Sequence, residues 1–155
     1  IASNAQTEEL ILGAFLDRIS GAASRYDPVI AEACLDFPRI LSLSEYRALR
    51  HFESICPDDR YAATEDGLDE YCIPVTLTAV YYFLRSPYRY EKVIDSCLRV
   101  GGRITTSAFL AGAICGALVG ETGIPQHLSE GILNVSELAT AANDLHGAWL
   151  KRSSS

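Results

Sequence analysis

The sequence predicts an all-α protein, a compact multi-helix bundle, and three observations carry that prediction. Apolar residues recur at three- and four-residue steps along almost every segment. Proline, glycine and capping serine or aspartate punctuate these segments at short intervals, and no stretch alternates as a half-buried strand would. With 48% hydrophobic and 21% charged residues, the 155-residue chain can fill one core, so 1–155 reads as a single all-α unit.

The first helix is expected from Thr7 to about Ala23, with Thr7 as N-cap and Leu10, Ile11, Ala14, Phe15 and Ile19 as its apolar face. Asp27-Pro28 restarts the chain as a helix, because aspartate caps and proline suits the first helical position. That helix carries Val29, Ile30, Ala33, Cys34 and Phe37, and Pro38 should kink or end it. Ser42 or Ser44 opens a third, running Glu45 to Ile55 with Tyr46, Leu49, His51 and Phe52 along it. Cys56-Pro57-Asp58-Asp59 closes it, and the polar interval to Gly67 reads as a loop.

A buried helix is expected from Leu68 or Asp69 through Leu84, regular from about Ile73 because of Pro74. Ser86-Pro87 breaks it, and Tyr90 to Val100 forms an amphipathic helix that stops at Gly101. A small-residue helix follows, Ala108 to Gly120, with Gly112, Gly116 and Gly120 at four-residue spacing. Each glycine costs roughly 1 kcal/mol relative to alanine in a helix, so the stripe predicts close helix–helix approach at the centre of the bundle. Glu121 to Pro125 is a turn, Gln126 to Ile132 a short helix, and Ser136 to Leu150 a last helix with the stripe Leu138, Ala142, Leu145 and Trp149. Residues 151–155 read as a frayed tail.

Charge and composition exclude several classes of function. A net charge of -7 with scattered basic residues does not provide the concentrated basic surface that a nucleic-acid partner requires. The longest apolar runs, Ile73 to Leu84 and Ala108 to Val119, are too short to span a bilayer, so no membrane role is expected. Five widely spaced cysteines without a CxxC fit reduced, buried thiols of a cytoplasmic protein better than a disulfide frame or zinc site. The chain starts at Ile1 and contains no methionine, so it is expected to be part of something longer.

The site-like feature is Val100-Gly101-Gly102-Arg103-Ile104-Thr105-Thr106-Ser107. A double glycine between two helices presents backbone amides at a helix N-terminus, where anions and metals are often held. The acidic pairs Asp58-Asp59 and Glu65-Asp66 lack calcium-loop spacing and read as a solvated loop, while His51, His127 and His146 stand alone.

Three stretches in register carry a family resemblance. They are Leu68 to Leu84 with its Pro74 and aromatic-Phe83-Leu84 end, Glu91 to Gly102 leading into the double glycine, and Ala111 to Gly120 followed by Ile124-Pro125. Over residues 67–126 the chain resembles the C-terminal part of the ADP-ribosylglycohydrolase family, all-α enzymes that remove ADP-ribose from modified side chains. The resemblance implies a double glycine followed by Asp, any residue, Asp, Thr, whose polar groups bind a pair of magnesium ions. Here Arg103 stands at the first aspartate position and Thr105 at the second; only Thr106 agrees. The family's other ligands would lie in an N-terminal half, on a missing part of the same protein or another subunit.

A guanidinium has no lone pair to offer magnesium, a hard cation that relies on anionic oxygens. The expectation is therefore a domain with lost or reduced magnesium-dependent hydrolysis and no cofactor of its own. Gly101, Gly102, Arg103 and, at the pocket edge, Glu70 would contact ADP-ribose or a related nucleotide, with Thr105 and Thr106 as remnants of the metal site. Two alternatives are a non-catalytic nucleotide-binding or structural interaction module, and an active hydrolase completed by ligands from the missing half.

Overall fold

The protein is described by a computed structural model covering residues 2–55, 72–102 and 104–153, with side chains described from residue 12 onward. Helices α1 (Ala2–Ala23), α2 (Pro28–Leu41), α3 (Glu45–Ser54), α4 (Cys72–Arg85), α5 (Tyr90–Arg99) and α6 (Ile104–Val119) come first. A 3-10 turn (Glu121–Gly123), α7 (Gln126–Ser129) and α8 (Val135–Ser153) follow. Among the described residues there is no strand, so the all-α expectation is met. No described helix is long and apolar enough to cross a membrane. By contact the chain divides into two units, Ile1–Gly123 and Ile124–Ser155.

In the first unit α4 is the central element. Its apolar side chains cover nearly its whole circumference, and it packs against α2, α3, α5 and α6. A helix that is apolar all round can be stable only when surrounded. Aromatic rings tie the layers together: Phe15 meets Phe83 at 5.2 Å, Phe37 meets Phe52 at 5.9 Å, and Phe52 meets the edge of Tyr81 at 5.8 Å. The buried phenol of Tyr82 donates to Glu45 Oε1 at 2.8 Å, tying α4 to the first turn of α3. Burial and the Glu45 carboxylate both push this phenol far above its ordinary pKa.

Capping at Asp27 follows the sequence. Its carboxylate accepts from the amides of Val29 (2.9 Å) and Ile30 (3.3 Å), with Pro28 in the first helical position. Four expectations need correction. First, α1 begins at Ala2, so Thr7 lies inside it; Ala2 to Gln6 contain no breaker that would stop the helix. Second, of the two outcomes expected at Pro38, the helix does not end: α2 continues to Leu41, because Phe37 and Ile40 are fully buried and their packing outweighs the lost backbone hydrogen bond. Third, α3 buries Ala48 and Phe52, four residues apart, while Tyr46 points outward.

The fourth correction concerns the glycine helix. It starts at Ile104, and its buried line is Ser107, Ala111, Gly112 and Cys115, while Phe109 is 72% exposed. Close approach is real at Gly112, where a Cβ would meet Ile94 Cδ1 at 3.0 Å and the Tyr90 hydroxyl at 3.1 Å. Gly120 has φ +69 and nothing near its Cβ position; it ends the helix in the left-handed conformation instead of packing it. So α6 lies on one side of α4 and is not itself the centre.

In the second unit, α7 is shorter than expected and stops at Ser129. Asn134 (φ 61) turns the chain into α8, which begins at Val135 and runs through Ser153, past the expected start of a frayed tail. Lys151 and Arg152 in the last turn oppose the negative end of the helix dipole, which favours that extension. No residue of α8 is buried.

Candidate functional site

The double-glycine turn joins α5 to α6. Gly101 (φ 84) and Gly102 (φ 68) both adopt the left-handed backbone that side chains resist, which is the physical requirement for glycine at both positions. The Ile104 amide donates to the Gly102 carbonyl at 2.8 Å, folding the turn tightly onto the start of α6. The turn is braced from behind. Val93 and Cys97 bury the inner face of α5, and Cys115 Sγ on α6 donates to the Pro87 carbonyl at 3.3 Å.

Of the predicted site residues, the structure brings Gly101, Gly102, Thr105 and Thr106 to this turn and the first turn of α6. Thr105 and Thr106 are exposed. Arg103 and Glu70 lie outside the described residues, as do Asp58-Asp59, Glu65-Asp66 and Cys56. Ser107, which the sequence did not single out, is buried and donates to the Ile104 carbonyl at 3.1 Å. This bond pins the first turn, and burial keeps the hydroxyl away from solvent.

The first turn of α6 contains no acidic residue, and first-turn amides lack an upstream carbonyl partner within the helix. With the positive end of the helix dipole, such a turn favours an anion. The described side chains at this turn, Thr105 and Thr106, offer only neutral hydroxyls, and among the described residues no cluster of three or more Asp, Glu, His or Cys could hold a metal.

A groove of about 500 Å³ lies elsewhere, lined by Val29, Glu32, Leu35, Asp36, His51 and Ile55 among others. The Arg39 guanidinium is paired with Asp36 and holds its carboxyl below the usual range. His51 Nε2 stands 3.6 Å from Asp36 and 3.4 Å from Arg39. In sequence His51 looked isolated; its neighbours are 12 and 15 residues upstream and on another helix. The groove includes none of Gly101, Gly102, Thr105 or Thr106.

Cys34, Cys97 and Cys115 are buried and free, and Cys72 is exposed and free. Burial raises the pKa of all three buried thiols, that of Cys97 to about 11. They are protonated and inert at neutral pH, so none is a nucleophile here.

Comparison with known proteins adds two findings. The sequence profile of the ADP-ribosylglycohydrolase family matches residues 2–154, well beyond the 67–126 stretch that carries the resemblance by eye. Among curated proteins, ADP-ribosylhydrolase ARH3 of Gallus gallus is 35% identical over 85 residues, which is 48% of this chain and 23% of that protein. The chain thus matches less than a quarter of that relative's length. No solved structure matches.

Proposed function

The chain belongs to the ADP-ribosylglycohydrolase family, and on that premise we propose that it binds ADP-ribose or a related nucleotide while its magnesium-dependent hydrolysis is lost or strongly reduced. One observation carries the reading: Arg103 and Thr105 occupy the two positions where the family resemblance calls for aspartate. Exchanging Asp for Arg alters local charge by two units, and Asp for Thr by one more. A guanidinium carried by the residue that precedes α6 in the sequence would repel a divalent cation at that turn and complement the turn's preference for an anion. Arg103 then substitutes electrostatically for metal by gripping a phosphate of the nucleotide. Five widely spaced cysteines without a CxxC support a reducing compartment, which we take to be the cytoplasm.

Titrating ADP-ribose with and without magnesium, followed by an assay of release from ADP-ribosylated arginine, tests this reading. Magnesium-independent binding without turnover is the expected result. Turnover that requires magnesium would return the chain to the active hydrolases, and absence of any binding would leave a structural module. The charge argument has its own test by calorimetry. Arg103→Asp combined with Thr105→Asp should raise magnesium affinity by about ten-fold or more, on the scale of charge interactions in a partly exposed site. Unchanged magnesium affinity in that double variant sinks the argument.

A further inference from the structure

We propose that Asp36, Arg39 and His51 form a proton-operated latch between α2 and α3, in which neutral His51 accepts a hydrogen bond from Arg39 and protonated His51 donates one to Asp36. This latch stands apart from the nucleotide reading. One atom decides the partner. His51 Nε2 on α3 lies 3.4 Å from Arg39 Nη2 and 3.6 Å from Asp36 Oδ2, both on α2. It therefore sits between a permanent donor and a carboxylate acceptor, and a single ring nitrogen serves only one of them at a time.

With His51 neutral, the Nε2 lone pair faces the Arg39 N–H, and the ring proton sits on Nδ1. A proton taken from solvent at Nε2 leaves the Nδ1 proton in place and makes the ring a cation with two donors. Arg39 then repels the ring and Asp36 attracts it. Hydrogen bonding from Arg39 first, and the charges of Arg39 and His51 after it, hold the Asp36 carboxyl below the usual carboxylate range. Asp36 is thus ionised wherever an imidazole titrates. From 3.6 Å, a closure of about 0.8 Å reaches the length of a charge-assisted hydrogen bond, while Arg39 Nε keeps its 2.8 Å bond to Oδ1.

Among the described residues the other nearby charges offset one another. Glu32 of α2 lines the same groove as His51, and Arg47 stands one turn upstream of it on α3. Arg50 is paired with Glu53. From α4, Tyr81 and Tyr82 reach α3, with their hydroxyls bonded to Arg85 and Glu45. Proton uptake thus draws α3 toward α2 and adds a positive charge to the groove wall that Glu32, Asp36 and His51 share.

Long-range nitrogen–proton correlation spectra of the full chain distinguish the two ring nitrogens. The chain has three histidines, and the signals lost in His51→Ala identify the one concerned. At pH 8 the His51 proton should be on Nδ1, and Arg39→Leu, which removes the donor, should shift it to Nε2. Double-mutant cycles read from urea unfolding give an independent measure. Asp36→Asn and His51→Ala should be coupled about two- to five-fold in the unfolding equilibrium at pH 5.5, and uncoupled at pH 8. A proton on Nε2 at pH 8, a tautomer indifferent to Arg39→Leu, or an Asp36–His51 coupling equal at the two pH values each overturns the latch.

Discussion

At Gly112 one hydrogen atom in place of a side chain sets how close α6 can come to α5. A Cβ would sit 3.0 Å from Ile94 Cδ1 and 3.1 Å from the Tyr90 hydroxyl, and a branched side chain would have no room beyond it. Gly112→Val should therefore destabilise the protein by about 1–3 kcal/mol, read from the shift of a urea unfolding midpoint. Thr78 offers a change in the opposite direction. It is fully buried on α4, and its hydroxyl has no hydrogen-bond partner among the described residues. Thr78→Val removes that buried oxygen at nearly constant shape, so stability should rise by roughly 1 kcal/mol, measured in the same way. The buried thiols give a third residue-scale expectation. Iodoacetamide should modify Cys72 ahead of Cys34, Cys97 and Cys115, with peptide mass spectrometry reading the order.

At the scale of the element, caps and packing decide where helices start and stop. Asp27 accepts from two first-turn amides of α2, so Asp27→Ala should cost about 1 kcal/mol of stability and lower the melting temperature by several degrees. The same helix shows the limit of local rules, since Pro38 interrupts its hydrogen bonding without ending it. The α5–α6 junction behaves as the double glycine demands. Two consecutive left-handed residues reverse the chain within one turn and leave the N-terminus of α6 with exposed Thr105 and Thr106.

For the molecule as a whole, α4 is the organising feature, because four other helices of its unit pack against it. Cys97 is fully buried in the core built around α4, and its ionisation belongs to the stability of the whole fold. In the folded state its pKa rises to about 11, so the native thiol stays protonated where the unfolded chain has already lost its proton. The unfolded state then binds fewer protons, and stability, complete below the ordinary thiol pKa, falls as pH climbs toward about 11. Denaturant unfolding at pH 8 and pH 10.5 should show the loss, and Cys97→Ala should flatten the slope. Family membership likewise belongs to the whole molecule, since the profile match extends over residues 2–154 and not only the double-glycine region.

The all-α class, the Asp27-Pro28 start, the stop at Gly101 and the charge that Arg103 brings to the double-glycine segment were all legible in the sequence. They depend on local chemistry: helical periodicity, capping, the conformational freedom of glycine, and the charge of single side chains. What needed tertiary structure was which apolar surface meets which. Three glycines at equal spacing look alike in a sequence, yet Gly112 lies against Tyr90 and Ile94, while Gly120 ends the helix. Phe37 and Ile40 keep α2 helical past its proline because α4 packs against that helix. Tyr46 is exposed and Ala48 buried because packing against α4 fixes the rotation of α3. Periodicity identifies an apolar face; only the neighbour supplied by a distant part of the chain decides whether that face is buried.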